Sequence, residues 1–168
     1  DEHGFNNPKG LYKKNEVDIM LIGDSFAEGY SVHPDKNISS ILRESGFNTI
    51  NIGKSDNGPL LMLSTLREYA KPFQPKVVLW LYYINDIIFE FPKEIKSSIL
   101  RKYLNENDFS QNLILRQNEI DHVLTNYAKE KEELEKSKKI EKKNEKEVSI
   151  ITILKFYNLR TIINLIPN

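Results

Sequence analysis

The chain contains no cysteine and only three histidines. The first absence excludes disulfides, thiolate zinc sites and cysteine nucleophiles, but leaves the compartment open, because many exported proteins also lack disulfides. An excess of charge of one sign is missing as well. Lysine plus arginine and aspartate plus glutamate stand at 24 each, so no global field draws the chain to nucleic acid, and a nucleic-acid partner is not expected. There is no G-x-G-x-x-G, no P-loop and no cluster with metal-ligand spacing, so no cofactor and no metal is implied. No basic, apolar, small-residue run of signal-peptide type is present. The chain opens on Asp1, and an apolar helical pattern runs almost to its last residue. The expectation is a piece of a longer protein.

What is present suits one domain: 168 residues, 39% of them hydrophobic. The first sixteen residues, with "GFNNPKG", read as an extended lead-in. Val17 to Ile22 is a short apolar run stopped by Gly23, as in a strand buried on both faces. Lys36 to Ser45 predicts a helix with Ile38, Ile41 and Leu42 on its apolar face and Gly46 closing it. "NTINIG", Asn48 to Gly53, predicts a second strand. "GPLLMLSTLREYA" predicts a helix that starts at Pro59, and "KVVLWLYYIND", Lys76 to Asp86, a third strand. Strand, helix, strand, helix, strand predicts right-handed crossovers around a parallel sheet. The fold class is α/β, a three-layer α/β/α arrangement on a flavodoxin-like sheet that is incomplete here. Ligands of such sheets bind beyond the carboxyl ends of the strands, where this chain places Gly23-Asp24-Ser25, Gly53-Lys54-Ser55 and Asn85-Asp86.

After Asp86 the alternation stops, and residues 87–168 read as a helical insertion or extension. One helix carries Ile99, Leu100, Tyr103 and Leu104, and another Ile120, Val123, Leu124 and Tyr127. Lys129 to Glu147 has no glycine, proline or aromatic residue, and its mixed charges predict a solvated surface helix or a partly disordered insertion. A coiled-coil seam is not sustained, since only Leu134 and Ile140 interrupt the charges. "VSIITILKFYNLRTIINLI" is apolar, but Lys155, Asn158, Arg160 and Asn164 interrupt it. It predicts a core-facing or interfacial helix rather than a membrane span.

Ser25 raises the chemical question. In "DIMLIGDSFAEGYSV" a serine sits where the first strand meets the ligand edge, at the start of the next helix. An isolated Gly-Asp-Ser is a turn in which Asp24 or Ser25 caps that helix. At this edge, backbone N–H groups also lie beside the hydroxyl, where an oxyanion would form. The spacing is GDSxxxG rather than the GxSxG elbow of α/β-hydrolases.

"IGDSFAEG", "NIGKSDNGP" and "VVLWLYYIND", in that order at three successive strand ends, resemble the first three sequence blocks of the SGNH, or GDSL-type, hydrolases. The resemblance covers roughly Phe5 to Asp86. It implies Ser25 as nucleophile, with its own N–H in the oxyanion hole and the Asn85 side-chain amide as a second donor. In the second block the family places a glycine after the serine, and this chain has Asp56 there, with Gly58 two residues on. Either Asp56 gives its backbone N–H with its carboxylate turned to solvent, or Gly58 takes the place; the reading favours Gly58. Tyr83 stands where the third block usually begins with glycine.

The family's base is an Asp-x-x-His pair, and no such pair occurs in this sequence. His3, His33 and His122 read as surface histidines; among them His33 lies in a loop near the ligand edge. The expectation is that the base half of the site lies outside this chain, which by itself should be inactive. The resemblance thus implies a serine hydrolase or O-acyltransferase acting on a small ester, an acylated carbohydrate or a lipid. The alternative is a non-catalytic module that keeps the fold. A flavodoxin-like nucleotide site is a weaker third reading, since the loop after the first strand offers no lysine and no glycine cradle.

Overall fold

The computed structural model describes residues 1–13 and 16–163, with the side chains of its last helix described as far as residue 140. The chain divides into two compact units, Asp1–Gln117 and Asn118–Asn168.

The first unit is built on three parallel strands, β1 (Ile19–Ile22), β2 (Thr49–Asn51) and β3 (Val77–Trp80), in the order β2-β1-β3. β1 is central, pairing Ile19 with Thr49 on one side and with Val77 on the other. Met20, Leu21 and Ile22 are accordingly buried on both faces. Between the strands lie the single turn α1 (Ser25–Glu28), α2 (Ile38–Glu44) and α3 (Pro59–Tyr69). Strand order reverses at β1, so the crevice between β1 and β3 at their carboxyl ends is the topological switch point.

One core cluster joins Met20, Ile22, Ile50 and Ile52 to Met62 and Tyr69 of α3, with Phe5, Leu11 and Phe73 packed against it. The lead-in is therefore part of the fold. It also closes one edge of the sheet: the Asn7 side chain donates to Asn51 O at 2.7 Å and accepts from Asn51 N at 2.9 Å. Its amide thus occupies the place of a missing strand. The β3 side has no such cover among the described residues. Val77, Val78 and Trp80 are exposed there, Trp80 to 42%, the unpaired edge and bare apolar face expected of a sheet with three strands.

Four local readings change. The apolar face expected on α2 is inverted, because Ile38 and Ile41 are exposed while Ser39 and Ser40 are buried. The Ser39 hydroxyl donates to Asn37 Oδ1, and the Ser40 hydroxyl donates to Pro34 O, so this helix docks through satisfied hydroxyls rather than through its isoleucines. The third strand ends at Trp80, not Asp86. Tyr83 N–H donates to Asp86 Oδ2 and Asp86 N–H to Tyr83 O, and this closed turn starts a π-helical stretch, Asp86–Glu90. The region after Asp86 is not a single addition, since residues 87–117 separate from the long helix that ends the chain. After α4 (Phe91–Glu94), α5 (Ser98–Asn105) packs Leu100 and Tyr103 against Leu60 of α3 and belongs to the first unit. Ile99 and Leu104 of the face predicted for α5 stay exposed.

The second unit is formed by α6 (Gln117–Ile163), one helix through the charged run. Its described side chains from Lys129 to Ile140 are exposed, and Lys136 pairs with Glu132 one turn earlier, as a solvated helix requires. The apolar segment from residue 148 lies outside the described side chains. Among the described residues no helix is long and apolar enough to cross a membrane.

Candidate active site at the strand ends

The loop after β1 is held by close contacts. Gly23 is required there, because a Cβ would lie 2.5 Å from Leu81 O on the neighbouring chain segment. Asp24 is buried and caps α1, its carboxylate accepting the Phe26 N–H at 2.9 Å. The capping role considered for Asp24 or Ser25 thus falls to Asp24. Ser25 is left as the first residue of α1, half-buried, with its hydroxyl bonded to no described residue.

The loop after β2 is tied to the first. Lys54 N–H donates to Gly23 O at 3.1 Å. The Glu28 carboxylate, buried at the end of α1, takes the Lys54 ammonium at 2.5 Å, the Ser55 N–H at 2.7 Å and the Ser55 hydroxyl. Burial raises the pKa of Glu28, but these donors outweigh it and hold the carboxyl below its ordinary value. Sequence reasoning missed Glu28. Its partners are 26 and 27 residues away, and only the fold brings them together.

Asp56 follows at once with φ 64°, in the left-handed region that glycine adopts freely and aspartate tolerates. This residue is exposed, and its N–H meets no described acceptor. Gly58 differs. Its N–H donates to Glu94 Oε1 at 2.7 Å, and Glu94 Oε2 takes the Leu60 N–H at 2.8 Å. The Glu94 carboxylate therefore caps α3, and the preference for Gly58 as an oxyanion donor is corrected, because a donor already spent on a carboxylate cannot serve a substrate.

The loop after β3 brings Asn85 and Asp86. Asn85 has helical backbone angles, φ −60° and ψ −31°, and caps nothing with its side chain. Its Oδ1 is buried without a partner, and its Nδ2 donates to no described acceptor. Asp86 is 1% exposed. One of its oxygens accepts the Tyr83 N–H and the other has no partner. Burial pushes this carboxyl up, and the nearby Asp24 and Glu90 charges push it further. Tyr83 leans on Phe26, ring centroids 6.2 Å apart. The third loop thus lies against the first.

No histidine is among the described residues that line a cleft with Ser25. His3 bonds Gln117 and packs edge-on to Tyr12, a structural role. His122 lies on α6, in the second unit, near Asn126. His33 Nδ1 is held by Asp35, but its side chain is 77% exposed, and it does not line the cleft of about 330 Å³ that opens beside Ser25. That cleft is walled by Phe26, Tyr30, Val32 and Ile38, with Ser31 and Lys36 at its polar side. Among the described residues no three His, Asp or Glu side chains gather as a metal site would need.

Compared with family models, with curated proteins and with solved structures, the chain finds no match in any of the three.

Proposed function

We propose that this chain carries the nucleophile and oxyanion half of an SGNH-type serine hydrolase on a flavodoxin-like α/β/α sheet. The observation that supports it most is the unbonded Ser25 hydroxyl at the carboxyl end of the central strand, beside a second loop whose Asp56 N–H is also free of described acceptors. In this reading Ser25 Oγ attacks an ester carbonyl carbon and yields its proton to a base. The carbonyl oxygen takes the electron pair, and the N–H groups of Ser25 and Asp56 with the Asn85 amide receive its charge. Collapse expels the alcohol, which takes the proton back, and water then releases the acyl group. An acceptor hydroxyl in place of water makes the same site an O-acyltransferase.

No histidine among the described residues lines the cleft with Ser25, and this favours a second reading, a module that binds the ester without cleaving it. An acid quench separates the two. The protein is incubated with an aryl acetate and free imidazole, and its peptides are weighed. Acetyl on the peptide carrying Ser25, absent from Ser25→Ala, supports the hydrolase. Acetylation of lysines and surface groups only, unchanged in Ser25→Ala, overturns it.

A further inference from the structure

We propose that the chain pairs with a second copy of itself, the open edge of β3 in one copy meeting the same edge of the other, antiparallel, with Leu79 opposite Leu79. This pairing is independent of the function proposed above.

The open backbone groups follow from the pairing inside the sheet. Val77 N–H donates to Asp18 O at 2.9 Å and Leu81 N–H to Ile22 O at 2.8 Å, so residues 77, 79 and 81 turn their N–H and C=O groups toward β1. Val78 and Trp80 turn theirs outward, where no described strand pairs with them. Such an edge is a template for another strand. The far edge of the sheet is closed: Asn7 bonds both backbone groups of Asn51, and Thr49 O accepts from the Arg43 guanidinium at 3.0 Å. A sheet with one open edge takes on one further copy and stops, as a closed two-fold pair rather than a filament.

The edge complements itself. In an antiparallel pair, outward residues must face outward residues. The one register that pairs both of them sets Val78 of each copy opposite Trp80 of the other. A β-branched residue beside an aromatic one is a stabilising cross-strand pair, and here it occurs twice. Trp80 is held in place for it, its indole N–H donating to Met62 Sδ of α3 at 3.1 Å. The charges favour the same register. Residues 77–84 carry none, and Lys76 falls opposite Tyr82 of the second copy. A slip that brings the two Lys76 residues together sets like charges face to face and puts Trp80 against Pro72, which has no N–H to give. A slip the other way meets the turn that Tyr83 and Asp86 close, where the strand has ended.

The chain has no cysteine, so one introduced cysteine reports the register. In the proposed pair the two Leu79 Cα atoms lie about 4.5 Å apart, within the span of a disulfide, whereas the two Val77 Cα atoms lie about 14 Å apart. Light scattering at rising protein concentration is expected to show a dimer for the wild type and a monomer for Val78→Lys, with circular dichroism checking that each variant folds. On mild oxidation Leu79→Cys should form a covalent dimer at least tenfold faster than Val77→Cys. A wild type that stays monomeric, as it would with the edge covered by the chain's own residues, overturns the proposal. So do assemblies that grow beyond the dimer, a dimer that Val78→Lys leaves intact, and crosslinking of Val77→Cys as fast as Leu79→Cys. Where Val78→Lys does not fold, the ratio of the two cysteine variants decides alone.

Discussion

Glu28 and Ser55 are joined twice, the carboxylate of the first accepting both the N–H and the hydroxyl of the second. With Lys54 on the other oxygen, this clamp sets the backbone one residue before Asp56. Glu28→Gln removes the charge from three donors, and hydrogen bonds to charged groups contribute about 1.5–3 kcal/mol. The variant is expected to lose about 2 kcal/mol in urea unfolding at pH 7. Because the folded carboxyl is held below its ordinary value, the wild-type advantage is present above the unfolded pKa and fades as pH falls through the lower folded value. A deficit that does not shrink between pH 6 and pH 3 contradicts the assignment.

Asp56 stands in a glycine's conformation. Asp56→Gly relieves the left-handed strain at some cost in chain entropy, so stability should change by no more than about 1 kcal/mol. Asp56→Val should cost about 1–2 kcal/mol. If the proposed function holds, imidazole-supported turnover should be kept or raised when this carboxylate is removed. A folded Asp56→Gly protein slower by more than tenfold would make the carboxylate a substrate-binding group.

Glu94 caps α3 through Gly58 and Leu60. Glu94→Ala is expected to cost about 1–2 kcal/mol, measured by thermal or urea unfolding. Its effect on turnover should be no larger than its effect on the folded fraction. A large loss of kcat in a fully folded Glu94→Ala would return Gly58 to the oxyanion hole.

Much of this arrangement is legible in the sequence because strand-ending glycines and apolar runs are local signals. The three strands, the crossovers and the positions of Ser25 and Asp56 follow from them. The rest depends on partners distant in sequence. Gly58 looks like an open backbone donor until Glu94, 36 residues on, is seen to take its N–H. Ile38 and Ile41 look like a core face until Ser39 and Ser40 find acceptors. Asp86 looks like the last residue of a strand, and its own carboxylate turns the chain away three residues earlier by bonding Tyr83.

Asn85 is the least encumbered amide at the site. With imidazole supplied as the base, Asn85→Ala is expected to lower kcat about a hundredfold with little change in KM, the signature of a donor used only in the transition state. A rise in KM with kcat unchanged would make it a binding residue instead.

The measurement closest to the central claim is chemical rescue. Hydrolysis of a short-chain aryl ester is followed at rising imidazole concentration for the wild-type chain and for Ser25→Ala, with His33→Ala as a further control. No described histidine lines the Ser25 cleft, so the wild-type protein should be nearly inactive without imidazole. With imidazole it should exceed the Ser25→Ala rate, and His33→Ala should behave as wild type. Equal rates for wild type and Ser25→Ala at every imidazole concentration would contradict the assignment of Ser25 as the nucleophile.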